Sequence, residues 1–553
     1  MNSFGIDFGT TNSAIAVLNN GEPEVIRVDQ PPIEWEQFGY DKVFPSVFGY
    51  GENAEALFGW EAKLAITENK IEAVKRLFAT EEKVVIGEEE FLVEEVATML
   101  FGKMKRNVAE ESALELDSAV VTIPANSRGR ARQRTKICAG MAGIQVKTLI
   151  NEPTAAAMAA TRRNREDQTI FVVDWGGGTF DVTALNAVEG TFIESSSSGA
   201  QRCGGVDFDS VIMKWIADSS PKSDSWTPIE RAVLRIEAEK AKILLSSQDE
   251  VNIDLPDGEV RRLTRGEFEQ LSKSVLDHAR GPIQRCLNDL SASGIRIDSL
   301  VLAGGTCSIP ACRTLIEELV QKPAVSGINP LTAIAEGAAI AAGILNKELD
   351  YGYFVTTEHD LGTVVATPTQ SLEFSVIIPR NMNLPASSTE IYSPVVDNQE
   401  SLNFKVIEGD ANLPLSAEDN VVLAETTISI PNPVPMGEVS FSVSYTYDEN
   451  GILVFGVTDN RDESQLHAGE IALGVQKDRE KMVKIAEKTS KTLDENKVQK
   501  ETLTDGDNSE LNSEISTLLL NARTKVAPFV DDEEATIIRE LCQKVEDSSG
   551  NDQ

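Results

Sequence analysis

At 553 residues the chain is too long for one hydrophobic core, and two to four domains of roughly 100–200 residues are expected. The 41% hydrophobic content suits a soluble globular protein, and 51 basic against 88 acidic residues leave a net charge of −37, which argues against DNA, RNA or an anionic membrane as partner. Six Cys and three His lie scattered without zinc-type spacing, no run approaches the ~20 apolar residues of a membrane span, and the first residues lack a signal-peptide pattern, so a reduced, cytoplasmic protein is expected.

The first predicted strand, Phe4–Asp7, runs into the turn Phe8-Gly9-Thr10-Thr11-Asn12 and returns over Ser13–Leu18. Pro45–Phe48 reads as another strand. A charged helical pattern leads to Ile71–Phe78, where Lys75 and Arg76 sit on an amphipathic segment whose bland reading is a solvated face. Phe91–Val108 has helical period, and Asp117–Pro124 reads as a buried strand closed by proline. Ser127–Met141 reads as a helix with Arg128, Arg130, Arg132, Arg134 and Lys136. Their spacing by two cannot put all of them on one helical face, so most are expected in solvent. Lys147–Thr154 follows, then the small-residue helix Ala155–Ala160, with Pro153 suited to a first helical turn.

The central signal is Ile170-Phe-Val-Val-Asp174-Trp-Gly-Gly-Gly-Thr179-Phe-Asp181-Val-Thr183. Four apolar residues form a strand that Asp174 ends. Gly176, Gly177 and Gly178 force a tight turn, and Thr179–Leu185 returns as a hairpin. Three glycines gather backbone N–H groups with no Cβ in the way, so the turn can wrap phosphate oxygens, and Asp174 at its lip can hold a metal through water. The N-terminal hairpin repeats the pattern, which suggests an internally duplicated fold whose halves face each other across a nucleotide. Cys203-Gly204-Gly205 before a helix at Ser210–Ala217 can receive an anion. Pro228–Ser247 is strongly helical, 251–255 and 260–263 suggest a hairpin, and Arg265–Asn288 is helical. Ser299–Thr306 is a third strand ending in glycines, Gly304 and Gly305, against which a flat base or sugar can lie. Asn329–Ala342 contains a closely packing small-residue helix.

After about Asn346 the pattern changes to short strands: Ser375–Ile378, Leu402–Glu408, Ala424–Ile430, Val439–Tyr447 and Ile452–Asp459. This is the mark of a second, all-β domain of sandwich type. Charged helix returns from Lys477. Leu493–Asn508 reads as polar and flexible, Leu511–Lys525 and Ala535–Val545 as short helices, and the end as acidic and disordered.

The paired phosphate turns resemble the actin-like ATPase superfamily. The motif order from Phe4 to about Gly474 resembles the seventy-kilodalton heat-shock (DnaK-like) chaperone family. The matching stretches are Gly5–Ser13, Val74–Leu77, Ile150–Ala157, Asp174–Asp181, Glu239–Ile243, Asn329-Pro330, Asp397–Gly409 and Asp448–Val454. The resemblance implies an α/β actin-like ATPase domain, duplicated and two-lobed, over 1–346. A linker at 347–357, a β-sandwich peptide-binding domain at 358–476 and a short helical lid with an acidic tail at 477–553 would follow.

The resemblance also implies site roles. Asp7 and Asp174 would hold the Mg²⁺ of MgATP through water, with K⁺ nearby. Gly9, Thr10, Thr11, Asn12, Gly176, Gly177, Gly178 and Thr179 would bind phosphates, with Gly204 and Gly205. Lys75 would meet the γ-phosphate and position water, and Glu152 and Asp181 would complete the polar shell. Glu239, Lys242, Ser246, Gly304, Gly305 and Ser308 would surround adenosine. Pro124 and Arg132 would relay nucleotide state to the β domain, where Leu402 and Phe404 would line a peptide pocket with Val395 at its rim; plain sandwich core is the competing reading for Leu402 and Phe404.

There are departures from the family pattern. Tyr351–Thr357 lacks the acid of the usual linker, Asn126–Gly129 replaces the residues after the switch proline, and Leu331 stands in place of an aspartate. Ser308 stands where an arginine often stacks near adenine, and the lid is short. The leading function is an ATP-driven chaperone that hydrolyses ATP to control the binding of extended apolar client peptides. A J-domain co-chaperone and a nucleotide exchange factor are candidate partners. Interdomain coupling is expected to be weak. The alternative is a nucleotide-gated scaffold with a dedicated partner and little hydrolysis. A small-molecule kinase would leave the β domain idle.

Overall fold

Two sheets in the first part of the chain repeat one plan. The computed structural model describes residues 2–504 apart from 52–53, 79–81, 126, 128, 163–165, 221–222, 224–225, 257, 350–355, 358, 368–370, 381, 418–419, 449–451 and 473–478. In the first sheet, Phe4–Asp7 pairs antiparallel with Asn12–Asn19, which pairs with Glu22–Ile26. On its other side it runs parallel to Ser118–Ile123, which runs parallel to Gln145–Asn151. The second sheet uses the same order. Gln168–Trp175 pairs antiparallel with Thr179–Val188 and that with Thr191–Gln201, while Ser299–Ala303 runs parallel on the far side. A lone parallel bridge, Leu300 to Ala324, stands where the fifth strand would be. Ser118–Ile123 is buried at every residue, as expected of a strand covered on both faces.

Two small-residue helices, Glu152–Thr161 and Ala333–Leu345, share one core with residues of both sheets, including Val120, Ile150, Ile170 and Val301. Their contact is backbone to backbone: a Cβ on Gly337 would lie 1.8 Å from the Ala155 carbonyl oxygen. Pro153 occupies the first turn of its helix.

The chain after residue 356 forms two four-stranded antiparallel sheets, with orders 372–378, 360–366, 401–409, 421–429 and 386–392, 441–447, 452–459, 464–472. One core joins them, with Phe404, Val406, Tyr445 and Phe455 inside. The Tyr445 hydroxyl crosses it to donate to the Gly362 carbonyl at 2.9 Å.

Several expectations need correction. The bland reading of Ile71–Phe78 as a solvated amphipathic face fails for Lys75, which is buried: Lys70–Glu72 is a strand paired with Val47–Tyr50, and Val74–Leu77 is a 3₁₀ turn after Ala73 at φ +58°. That break turns Lys75 inward. On the helix Gly129–Met141, Arg132, Arg134 and Lys136 are buried rather than solvated, because the helix is covered on several sides by elements that bring partners. Arg134 donates to Glu94 at 2.9 Å and to the Phe78 carbonyl at 2.7 Å, and Lys136 meets Glu408 at 2.8 Å. Strands Gln145–Asn151, Thr191–Gln201, Asp360–Ala366, Ala386–Tyr392 and Ser464–Ala472 were not anticipated.

The flexible reading of 493–508 fails up to Thr504, since Arg479–Thr504 is one helix lying along Val93–Ser112. Ile485 and Leu493 enter the core of the first half, and the Asn496 amide donates to the Ala56 carbonyl at 2.7 Å. The expected helices at 511–525 and 535–545, the acidic end and linker residues 351–355 lie outside the described residues. No helix among the described residues is long and apolar enough to cross a membrane.

Candidate functional site

The two glycine turns come from equivalent hairpins and touch. A Cβ on Gly9 would lie 2.0 Å from the Asn12 carbonyl, so that turn closes tightly only without one. A Cβ on Gly177 would lie 1.9 Å from the Thr11 hydroxyl of the other turn. Thr10 lies in the same turn as Thr11. The Gly176 N–H donates to the Thr179 carbonyl at 3.1 Å and closes the second hairpin.

The helix Gly205–Ser219 starts against this turn, with the Gly205 and Val206 N–H groups donating to the Gly176 and Gly177 carbonyls at 3.1 and 2.9 Å. It begins earlier than the Ser210 the sequence suggested, because Asp207 caps it by accepting from the Gly204 N–H at 2.7 Å. A Cβ on Gly204 would lie 2.5 Å from the Gly177 carbonyl carbon. Gly304, at φ +80°, brings the pair Gly304-Gly305 in beside Trp175, and the Thr306 hydroxyl donates to the Gly176 carbonyl at 2.8 Å.

These turns border a cavity of 1460 Å³ between the two halves. That exceeds the roughly 300–1,000 Å³ of a usual small-molecule site. Thr11, Asn12, Gly177, Gly205 and Gly305 line it, as do Glu239, Lys242, Ser246 and Ser308. The Thr11 hydroxyl and the Asn12 side-chain oxygen are buried and have no hydrogen-bond partner among the described residues, so the wall offers polar atoms that await a ligand.

Beside the turns sits a buried charge cluster. The Lys75 ammonium donates to Glu152 at 2.7 Å, both side chains being about 10% exposed or less. Burial works against the Lys75 charge, but Glu152, Asp7 and Asp174 outweigh it and raise its pKa. Burial and then Glu152 push Asp7 up to about 7, against Lys75 and the Thr122 hydroxyl, which donates to it at 3.2 Å. Burial, Glu152, Asp181 and Asp7 drive Asp174 well above the usual carboxylate range; Asp181 is its cross-strand partner. Three carboxylates, Glu152, Asp7 and Asp174, act on one lysine, so the cluster is short of positive charge and suits a cation. Among the described residues no three His, Cys, Asp or Glu side chains are arranged to ligate a metal directly.

Further along the cavity, Lys242 pairs with Asp209 at 2.8 Å and donates to the Gly205 carbonyl at 3.3 Å. Glu239 pairs across the halves with Lys63 at 2.8 Å. The Ser246 hydroxyl donates to the Lys242 carbonyl at 3.4 Å.

Sequence reasoning missed Lys63, Asp209, Thr306 and Arg76, whose guanidinium donates to the Gly178 carbonyl at 2.6 Å. Arg76 and Asp209 stand inside motifs already singled out. The only signal for Lys63 was a charge on a short helix.

Away from the cavity, the Ser127 N–H donates to the Pro124 carbonyl at 2.9 Å and Arg132 to the Ser127 carbonyl at 3.0 Å. Four residues on from Arg132, Lys136 meets Glu408 of the sandwich, which also accepts from Gln133 at 2.6 Å. Burial disfavours the Glu408 charge, but Lys136, Arg132 and His359 more than offset it and hold its pKa near about 2. Val395 is 51% exposed, Leu402 is half-buried, and Phe404 lies in the sandwich core, stacked 5.6 Å from Phe455.

Comparison with known proteins gives a consistent answer. The family model described as Hsp70 protein matches residues 3–553. The chain is 32% identical over 510 residues to "Chaperone protein DnaK" of Mycoplasmopsis agalactiae, covering 88% of this chain and 81% of that one. To the protein of the same name from Metamycoplasma hominis it is 33% identical over 503 residues, covering 87% and 82%. To that from Methanothermobacter thermautotrophicus it is 34% identical over 473 residues, covering 82% and 77%.

Proposed function

The chain belongs to the Hsp70 protein family, and from that premise we infer how its parts divide the work. It is an ATP-dependent chaperone and an ATPase. The finer reading assigns 1–346 to a two-lobed actin-like ATPase domain, 347–357 to a linker, 358–476 to a peptide-binding sandwich and 477–553 to a short helical segment with an acidic tail. One observation carries it: glycine turns from the two lobes meet, Thr11 against Gly177, at the wall of one shared cavity.

Phosphoryl transfer to water needs charge neutralisation and an in-line nucleophile more than a covalent partner. Thr10, Thr11, Gly177, Gly178 and Thr179 offer backbone and hydroxyl groups to the phosphates. Asp7 and Asp174 would hold Mg²⁺ through water, and K⁺ would sit close by; Mg²⁺ would neutralise charge on the phosphate oxygens. Lys75, which donates to Glu152, would meet the γ-phosphate with its ammonium and orient the attacking water. Glu239, Lys242 and Ser246 would take the ribose and base.

In the sandwich, Val395 and Leu402 would contact an extended apolar client segment in a cytoplasmic setting, and Phe404 would support them from the core. Pro124 and Arg132 would pass nucleotide state through the helix Gly129–Met141 to Glu408. A J-domain protein and an exchange factor are the proposed co-chaperones.

A peptide array read with ATP and with ADP tests the whole. Tighter binding with ADP than with ATP is expected, and equal binding in both would sink the proposed gating.

A further inference from the structure

The glycine turns define the phosphate end of the cavity, so the base must go to the other end. That end is walled by side chains whose partners come from both lobes. Trp35, Val43 and Trp60 of the first lobe form a buried cluster, and Phe38 and Tyr40 pack on it together with Ile236, Ile243 and Leu331 of the second lobe. The short helix Ile33–Gln37 and the loop to Val43 thus make an aromatic strap across the mouth of the cleft.

Tyr40 lines the cavity and brings its hydroxyl close to Gly305. Its hydroxyl lies 3.7 Å from where a Cβ on Gly305 would stand, and the same point is 2.8 Å from a Leu331 methyl. Gly305 belongs to the glycine pair offered as the floor for a flat ligand. The Tyr40 hydroxyl hydrogen-bonds to no described residue, while its ring meets Trp35 edge-on at 5.8 Å and Trp60 at 6.4 Å. Trp60 is fixed in turn: its ring N–H donates to the Val43 carbonyl at 3.2 Å, and its backbone N–H to Asp29 at 2.8 Å. Lys63 lies 4.9 Å from the Trp35 ring centre while it pairs with Glu239. A tyrosine packed edge-on against two fixed tryptophans and lining the cavity beside Gly305 is placed as an aromatic wall and not as a loose surface ring.

We propose that Tyr40 is a nucleotide-retention residue: its ring, carried by the 33–43 strap, walls the base from the first lobe, and release requires the strap to part from Ile243 and Leu331. The assignment rests on the nucleotide reading above. A positioning role of this kind acts on a ligand with a base and not on bare phosphate, whereas a purely structural seam would affect both.

The test is stopped-flow release of a fluorescent ADP from the full chain as wild type, Tyr40→Phe and Tyr40→Leu, alongside Mg²⁺-tripolyphosphate affinity by calorimetry. Leucine keeps the seam filled without a ring. Aromatic stacking on a base leads us to expect about five- to a hundredfold faster release in Tyr40→Leu, and release within about threefold of wild type in Tyr40→Phe. Tripolyphosphate affinity should not move in either. Unchanged release in Tyr40→Leu, equally fast release in Tyr40→Phe, or an equal loss of tripolyphosphate binding would each overturn the Tyr40 assignment alone. A wild type that fails to retain ADP would bring down the nucleotide reading, and the proposal with it.

Discussion

The cleft between the lobes and the joint to the β sandwich both bring together distant parts of one chain, yet they are held by different kinds of contact. In the cleft, bare glycine backbone is the contact surface: Gly204 lies on the Gly177 backbone, and Gly177 on the Thr11 side chain, at distances that leave no room for a Cβ. At the joint, side chains do the holding: Lys136 and Gln133 on Glu408, and the Thr148 and Tyr447 hydroxyls 3.5 Å apart. The first kind of contact admits only glycine on one side and leaves little room to repack. The second can be made or broken by one ion pair, and a part that must come and go suits it better.

If the cleft is the seat of chemistry, substitutions in its charge cluster should have the largest effect of any in the molecule. Lys75→Ala and Asp174→Asn should each slow ATP turnover by about 10³–10⁵, the worth of a charged group acting on the transferred phosphoryl. Single-turnover hydrolysis measures this, and near-normal rates in both would remove the catalytic assignment. Asp174→Asn also removes one of several mutually repelling buried carboxylates, so the ligand-free variant should melt at a higher temperature than wild type.

At the joint, Glu408→Gln leaves the buried Lys136 ammonium without its counter-charge and should cost docking about 3–5 kcal/mol. Small-angle scattering should then show an expanded molecule, while the double change Lys136→Met with Glu408→Leu stays compact. The pH dependence has a definite sign. Docking holds Glu408 near about 2 against an ordinary 4.5, so the docked state binds fewer protons in between. The stabilisation from this group is present above about 4.5 and is lost as pH falls towards about 2. Loosening on a rise from pH 5 to 7 would point to a different group.

The same contrast explains what could be read from sequence. The hairpins at 4–18 and 170–185 were legible because a strand, an acid and a glycine turn leave few other conformations, and their duplication pointed to a shared cavity. The joint was not legible. Lys136 looks like any solvated helix lysine until Glu408, 272 residues away, is seen beside it. Leu493 is embedded in a charged run, and nothing local says that the bare face of Gly102 receives it. Polar strands such as Thr191–Gln201 lack the apolar alternation that marks their neighbours, because pairing with Thr179–Val188 fixes them as much as burial does.

The helix Arg479–Thr504 sharpens the comparison further. Leu493 is 4% exposed and a Cβ on Gly102 would lie 2.8 Å from its methyl. Leu493→Ala should cost the helix about 2–4 kcal/mol of docking. Hydrogen exchange over 479–504 should rise steeply while single-turnover hydrolysis stays within about twofold. A parallel loss of hydrolysis would mean that helix and cleft are one cooperative unit.

The smallest effect should come from a part-exposed ion pair beside Leu493 in the chain. Arg106 donates to Asp494 at 2.7 Å, with side chains 29% and 65% exposed. Water and salt screen such a pair, and holding two long side chains in one geometry offsets much of the gain, so Arg106→Ala should cost the helix no more than about 1 kcal/mol. The difference from wild type should shrink further at ~1 M salt, where screening acts within about 3 Å. Hydrogen exchange of 479–504 at low and high salt measures both quantities. If Arg106→Ala released the helix as fully as Leu493→Ala, this contact would be charge-driven like the Glu408 joint, and the division between an apolar latch and an ionic one would have to be given up.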